Sequence, residues 1–215
     1  MLTKSQESKM IGIIEKAFLQ QVESAGGKGY RYYHSLRTYQ NAKKFIKMKE
    51  IYKNRIDSDA LLVAALFHDI GRKKNRRKVA NPSMPGHETD SANMLKKLLK
   101  DIVPVNTIDK AAKIINPNET SKEIKLEKEL LYYADELDSI GMLKIWRMFT
   151  YEAYNKGTIE NKIFYWNTDN SKRFNSNWID TFKIPRIRKI AQRRAKIQQE
   201  AMEELAKENS GLDIK

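Results

Sequence analysis

The chain has no cysteine in 215 residues, only five prolines and nine glycines, and only three histidines. The first absence removes disulfides, thiolate zinc sites and thiol nucleophiles, so any catalysis must use carboxylates, imidazoles, hydroxyls, cations or a metal held by nitrogen and oxygen. Long apolar runs are missing too. The longest, Ala60 to Phe67, stops at a His-Asp pair, far short of the roughly 20 residues that cross a bilayer, so no membrane span is expected. Met1 to Lys9 is polar and mixed in charge, and Glu15 and Lys16 interrupt the apolar stretch behind it; it does not read as a secretory leader, and the cytoplasm is the expected compartment. Acids are in short supply: 41 Lys+Arg face 27 Asp+Glu, a net charge of +14, which favours polyanions or small phosphorylated partners without setting specificity. With 40% hydrophobic and 9% aromatic residues the chain is too apolar for disorder, although 32% of it is charged. Its length suits one domain, or one with an appendage.

What is present is the helical period, apolar residues recurring at three and four, and the chain reads as all-α with no internal repeat. A first helix is expected over residues 8 to 23, stopped by Gly26, Gly27 and Gly29. A second runs from about Tyr32 to Tyr52 and carries His34 and Arg37 one turn apart. Asp57 and Ser58 are N-cap residues for a third, apolar nearly all round and therefore central, with Gly71 as its C-cap. After a basic loop from Lys73 to Pro85, helices follow over His87 to Val103, over 106 to 115 with a stop at Pro117, and over 122 to 155. Residues 157 to 183 turn to Asn and aromatics without clear periodicity. The aromatic stretch 164 to 178 reads first as a satellite core and second as a stacking surface for a base. Pro185 opens a last helix with Ile187, Ile190, Ala191, Ile197, Ala201 and Leu205 on one face. The expected organisation is a motif-bearing domain over 1–155, its core about 30–150, with 156–215 packed on it as an aromatic segment and C-terminal helical extension.

The three histidines, His34, His68 and His87, carry the chemical interest. His68 and Asp69 end the most apolar helix, where an ionised carboxylate is costly unless a cation or several hydrogen bonds offset its desolvation. Asp135 and Asp138 lie on another amphipathic helix. Imidazoles and carboxylates together make a mixed N/O donor set suited to Mn, Fe, Ni or Mg. A lone His-Asp pair says little. The ordered set of His34-Ser-Leu-Arg37, Leu66-Phe-His68-Asp69-Ile-Gly71, Gly86-His87-Glu88 and Ala134-Asp135-Glu-Leu137-Asp138 resembles the HD-domain superfamily of metal-dependent phosphohydrolases over about residues 30 to 150.

The resemblance implies an HD-domain-like helical bundle in which His34, His68, Asp69 and Asp135 ligate one divalent metal ion (Mn, Fe, Ni or Mg). His87 is then expected in the same cleft, as a second-metal ligand or a phosphate contact. Two departures shape the expectation. Asn116-Pro117-Asn118 stands where many two-metal relatives have further histidines, which favours one metal. Arg72 and Lys73 follow the His-Asp where alarmone-hydrolysing relatives carry acids, which argues against that activity. Arg37, Arg72, Lys73 and His87 are the expected phosphate-binding groups. Asp69, Asp138 and Arg72 are the expected catalytic ones, Asp138 as an orienting group or general base. The run from Arg72 to Lys78 reads equally as an anion-binding rim or a solvated loop, and Lys183 to Lys196 as a solvated helix face. The expected function is hydrolysis of a phosphoester of a small phosphorylated metabolite, a nucleotide, by metal-activated water. The alternatives are a phosphodiesterase or nuclease on RNA or single-stranded DNA, and a non-catalytic basic binding protein with the same fold.

Overall fold

The computed structural model describes residues 1–52, 56–73, 86–168 and 177–214, without the side chains of Tyr52 and Lys73. The chain divides into two compact units, one comprising residues 1–21 and 28–135, the other 22–27 and 136–215. The described residues are predominantly helical, with a single pair of two-residue strands, β1 (Val22–Glu23) and β2 (Gly27–Lys28).

The first unit contains α1 (Lys4–Phe18), α2 (Tyr30–Ile46), α3 (Lys49–Tyr52), α4 (Ser58–Phe67), α5 (His87–Leu99), α6 (Val105–Ile115) and nearly all of α7 (Lys125–Glu136). It is built around α4. Every residue from Ala60 to Phe67 is buried, and each large aliphatic or aromatic side chain so placed contributes about 1.5–3 kcal/mol relative to exposure. Against α4 pack α1, α2 and α6, and α5 packs on α6. The start of α4 is fixed by Asp57, whose carboxylate accepts the Ala60 N–H at 3.0 Å. The buried Glu127 on α7 accepts the Asp57 backbone N–H at 2.9 Å. Asn41 on α2 donates to the Ala134 carbonyl at 3.1 Å. These two bonds tie α7 to the start of α4 and to the body of α2.

Several boundaries differ from expectation for identifiable reasons. α1 begins at Lys4, because Thr3 and Gln6 form a reciprocal capping box. The third helix ends at Phe67, and His68 and Asp69 occupy a turn before a 3-10 turn at Ile70–Lys73. Gly71 is no left-handed cap, since its φ is not positive. It is required by proximity: a Cβ there would lie 2.7 Å from Asp90 Cβ and 2.7 Å from Ser91 N, and on top of the His87 carbonyl.

The second unit contains the 3-10 turn Leu137–Ser139, α8 (Met142–Tyr154), α9 (Ile159–Trp166) and α10 (Pro185–Ser210). The single helix expected over 122 to 155 is interrupted. Ile140 is extended and Gly141 has φ 88° and ψ −153°, a conformation that excludes a continuous helix and needs glycine. The Gly141 N–H donates to Gln198 Oε1 of α10 at 2.8 Å. α9 lies in the segment expected to be irregular, and Thr158 caps it by accepting the Asn161 N–H. Its Ile163 and Trp166 are buried, whereas Phe164 and Tyr165 are 70% and 61% exposed, so the aromatic stretch is only partly a core; Phe174 lies outside the described residues. α10 starts with Pro185 in its first turn and ends at Gly211 in the left-handed region. Its buried stripe is Ile187, Ala191, Gln198 and Met202, with Ile197 exposed, one step round the helix from the face expected.

Candidate metal centre

Four elements of the first unit deliver the site. α2 contributes His34, the turn after α4 contributes His68 and Asp69, the first residue of α5 is His87, and Asp135 is the penultimate residue of α7. One potential ligand atom from each of His34, His68 and Asp135 falls within 4.8 Å of the others. His34 Nε2 is 3.1 Å from His68 Nε2 and 3.1 Å from Asp135 Oδ1, and His68 Nε2 is 3.6 Å from Asp135 Oδ1. Donors around one ion at about 2.0–2.2 Å stand about 2.8–3.6 Å apart at octahedral or tetrahedral angles, so this trio fits a divalent cation. Asp69 Oδ2 stands slightly wider, 3.7 Å from His34 Nε2 and 3.8 Å from His68 Nε2.

The imidazoles are oriented from behind. His68 Nδ1 lies 3.0 Å from the Ala65 carbonyl, an acceptor, which places the proton on Nδ1 and aims the Nε2 lone pair at the cluster. The His34 ring is stacked on buried Tyr30, one turn earlier in α2, at 5.8 Å and 17°. Arg37 lies over the other end of this stripe, its guanidinium carbon 5.6 Å from the Tyr30 ring centre.

Asp69 is the most heavily compensated group. Its Oδ1 accepts from Arg72 Nε at 2.7 Å and lies 3.0 Å from His87 Nε2, and its Oδ2 accepts from Arg31 Nη1. His87 reaches it because of Gly71: the Gly71 N–H donates to Ser91 Oγ at 2.9 Å, and Ser91 Oγ donates to the His87 carbonyl at 2.7 Å, which holds the first turn of α5 against the His-Asp turn. Burial alone would raise the Asp69 carboxyl, but His68, His87, Arg72 and Arg31 together hold it well below the usual range. Burial likewise opposes ionisation of Asp135, and the two imidazoles outweigh it and depress that carboxyl. The His68 imidazole, lowered by burial, is raised on balance by Asp69 and Asp135. Two acids aimed at two imidazole nitrogens is the charge distribution that a cation resolves.

The other anticipated residues are placed as follows. Arg72, 42% exposed, and His87, 19% exposed, both sit on Asp69. The Lys73 side chain and residues Lys74 to Lys78 lie outside the described residues. Asp138 belongs to the second unit, where it is buried in the 3-10 turn. Sequence reasoning did not single out Arg31, Tyr30 or Ser91. Arg31 and Tyr30 stand three and four residues before His34, on the same helix face, which is the signal that marks them.

Comparison with known proteins places this site in context. The model of the HD domain matches residues 31–140. Bacillus subtilis YpgQ in complex with ADP is similar in structure, with a TM-score of 0.63, 17% sequence identity and coverage of 94% of this chain and 96% of YpgQ. An HD-superfamily hydrolase from Bacillus thuringiensis matches with a TM-score of 0.64 and 18% identity over 97% of this chain and 99% of its own. A protein from Lactobacillus plantarum matches with a TM-score of 0.62 and 16% identity over 98% of this chain and 100% of its own. No curated protein matches the chain.

Proposed function

The chain belongs to the HD-domain family, and from that premise we propose that it is a metal-dependent phosphohydrolase that hydrolyses a phosphoester of a nucleotide. The observation that carries the proposal is the convergence of His34, His68 and Asp135 from three separate elements, with Asp69 Oδ2 beside them. These four residues are the proposed ligands of one divalent ion. Bound there, the ion supplies a Lewis acid for a phosphoryl oxygen and lowers the pKa of a water in its shell.

The protein's own groups do the rest. Ala65, through His68 Nδ1, and Tyr30, through the His34 ring, keep both Nε2 atoms aimed at one point. Arg72 and His87, both on Asp69, are proposed to meet the substrate phosphate. Arg72 is well suited to this, because it is partly exposed and carries a fork of donors that stabilises charge developing on phosphoryl oxygens. Arg37 is the further proposed phosphate contact, and Asp138 is kept as a proposed orienting acid. A nucleotide substrate is supported by ADP in the YpgQ structure of the same fold and by the net charge of +14.

The test is a substrate panel of nucleoside mono-, di- and triphosphates, cyclic dinucleotides and oligonucleotides, with and without Mn. Turnover is expected only with metal and on a nucleotide. His68→Ala is expected to abolish Mn binding and reduce hydrolysis to the metal-free background while the protein still melts cooperatively. Hydrolysis by His68→Ala at the wild-type rate, or by metal-stripped wild type, overturns the mechanism. Turnover confined to oligonucleotides transfers the assignment to a nuclease.

A further inference from the structure

Arg31 breaks a local rule of helix chemistry. It is the second residue of α2, at the positive end of the helix dipole, where a cation is disfavoured. No acid stands in that first turn, and the cap residue Gly29 supplies no side-chain bond. The side chain is nevertheless only 14% exposed, and Nη1 donates to Asp69 Oδ2. That oxygen is the one 3.7 and 3.8 Å from the His34 and His68 Nε2 atoms. Arg72 and His87, by contrast, hold Oδ1.

The division of labour decides what Arg31 does. Asp69 does not depend on it for orientation, because Oδ1 is already fixed from two sides and the Asp69 carbonyl accepts the Arg72 N–H at 2.9 Å. What Arg31 adds is a positive charge on the oxygen that faces the metal position. Resting on the metal-site assignment above, we propose that Arg31 is an internal cation that competes with the metal for Asp69 Oδ2 and sets the affinity of the site. A divalent ion and the guanidinium draw on the same carboxylate oxygen and repel each other, so loading the site weakens or displaces the Arg31 contact. The metal-free site is thereby kept compensated.

The experiment titrates Mn into the full-length, metal-stripped protein by calorimetry and measures melting with and without Mn. Arg31→Gln and Arg31→Met remove the charge, and Arg31→Lys retains it. The two neutral variants, relieved of the repulsion between the guanidinium and the ion, are expected to bind Mn about tenfold more tightly than wild type and to gain more melting temperature from it, while Arg31→Lys stays close to wild type. Neutral variants that fold and bind Mn with wild-type or weaker affinity overturn the proposal. A wild-type measurement makes the test independent of variant folding: the guanidinium 15N resonances of Arg31 are expected to shift on adding Mg, and not in His68→Ala. An unchanged Arg31 signal in Mg-loaded wild type equally overturns it. Failure of wild type to bind any metal instead removes the site assignment itself, which distinguishes the two failures.

Discussion

The two acidic corners of the cluster are built on opposite plans. At the end of α4, Asp69 is 4% exposed and is held by Arg31, Arg72 and His87, so the protein supplies its own counter-charge. At the end of α7, Asp135 is 38% exposed and is met by the imidazoles of His34 and His68, which carry a full counter-charge only when protonated or when a metal lies between them. Asp69 is thus part of the fold as well as of the site. Asp135 instead meets, among the described residues, the two imidazoles proposed to share its ion.

The largest effect expected from this contrast is on stability in the absence of metal. Asp69→Asn leaves two guanidiniums and an imidazole gathered around a neutral amide. Removing one partner of a buried ion pair typically costs about 3–5 kcal/mol, and that loss is expected in urea denaturation of the metal-free protein. Asp135→Asn is expected to cost less than this, because that carboxylate is 38% exposed, yet to lose Mn binding as completely as Asp69→Asn. Equal destabilisation by the two substitutions would erase the distinction between the corners.

A smaller effect tests how the Asp69 corner is assembled. Gly71→Ala places a methyl against the first turn of α5, and overpacking of this kind costs about 1–3 kcal/mol. The displaced element carries His87, so substrate affinity is expected to fall more than Mn affinity. A variant with unchanged stability and unchanged KM would show that the close approach of the two segments is dispensable.

The two corners also differ in how far they could be read in advance. α4 was legible because eight consecutive apolar residues behind an Asp-Ser cap admit few alternatives, and the His-Asp pair at its end stood out against that background. Gly71 was legible as a necessary glycine but not for its reason, because close approach to α5 is a tertiary fact and a glycine after a helix reads first as a cap. The α7 corner was harder: the helical pattern runs through Ile140 and Gly141, and only the turn they adopt shows that Asp135 lies near a helix end rather than mid-helix. Arg31 escaped notice because a cation in a first turn looks like a surface residue until its carboxylate partner, 38 positions away, is brought to it. α9 was hidden by its Asn-rich surroundings, although Thr158 with Asn161 three residues on is a cap spacing.

The finest discrimination comes from pH. In the metal-free protein the His68 imidazole is raised, because the charges of Asp69 and Asp135 outweigh the lowering by burial. A raised folded pKa means that the native state holds the proton more tightly than the unfolded chain. The stabilisation is therefore complete below the unfolded value of about 6.5 and is lost as pH rises through the folded value. Asp69 and Asp135 are depressed, so their contributions persist above about pH 4 and are lost only in acid. Metal-free melting temperature is accordingly expected to decline as pH rises above about 6.5. The slope should flatten in Asp135→Asn, where one of the two raising charges is gone. With Mn present it should reverse, because ligating imidazoles must be deprotonated and metal affinity rises with pH. Parallel slopes with and without Mn would mean that the imidazoles titrate independently of the ion, and the α7 corner would lose its claim to be the half of the site that waits for metal.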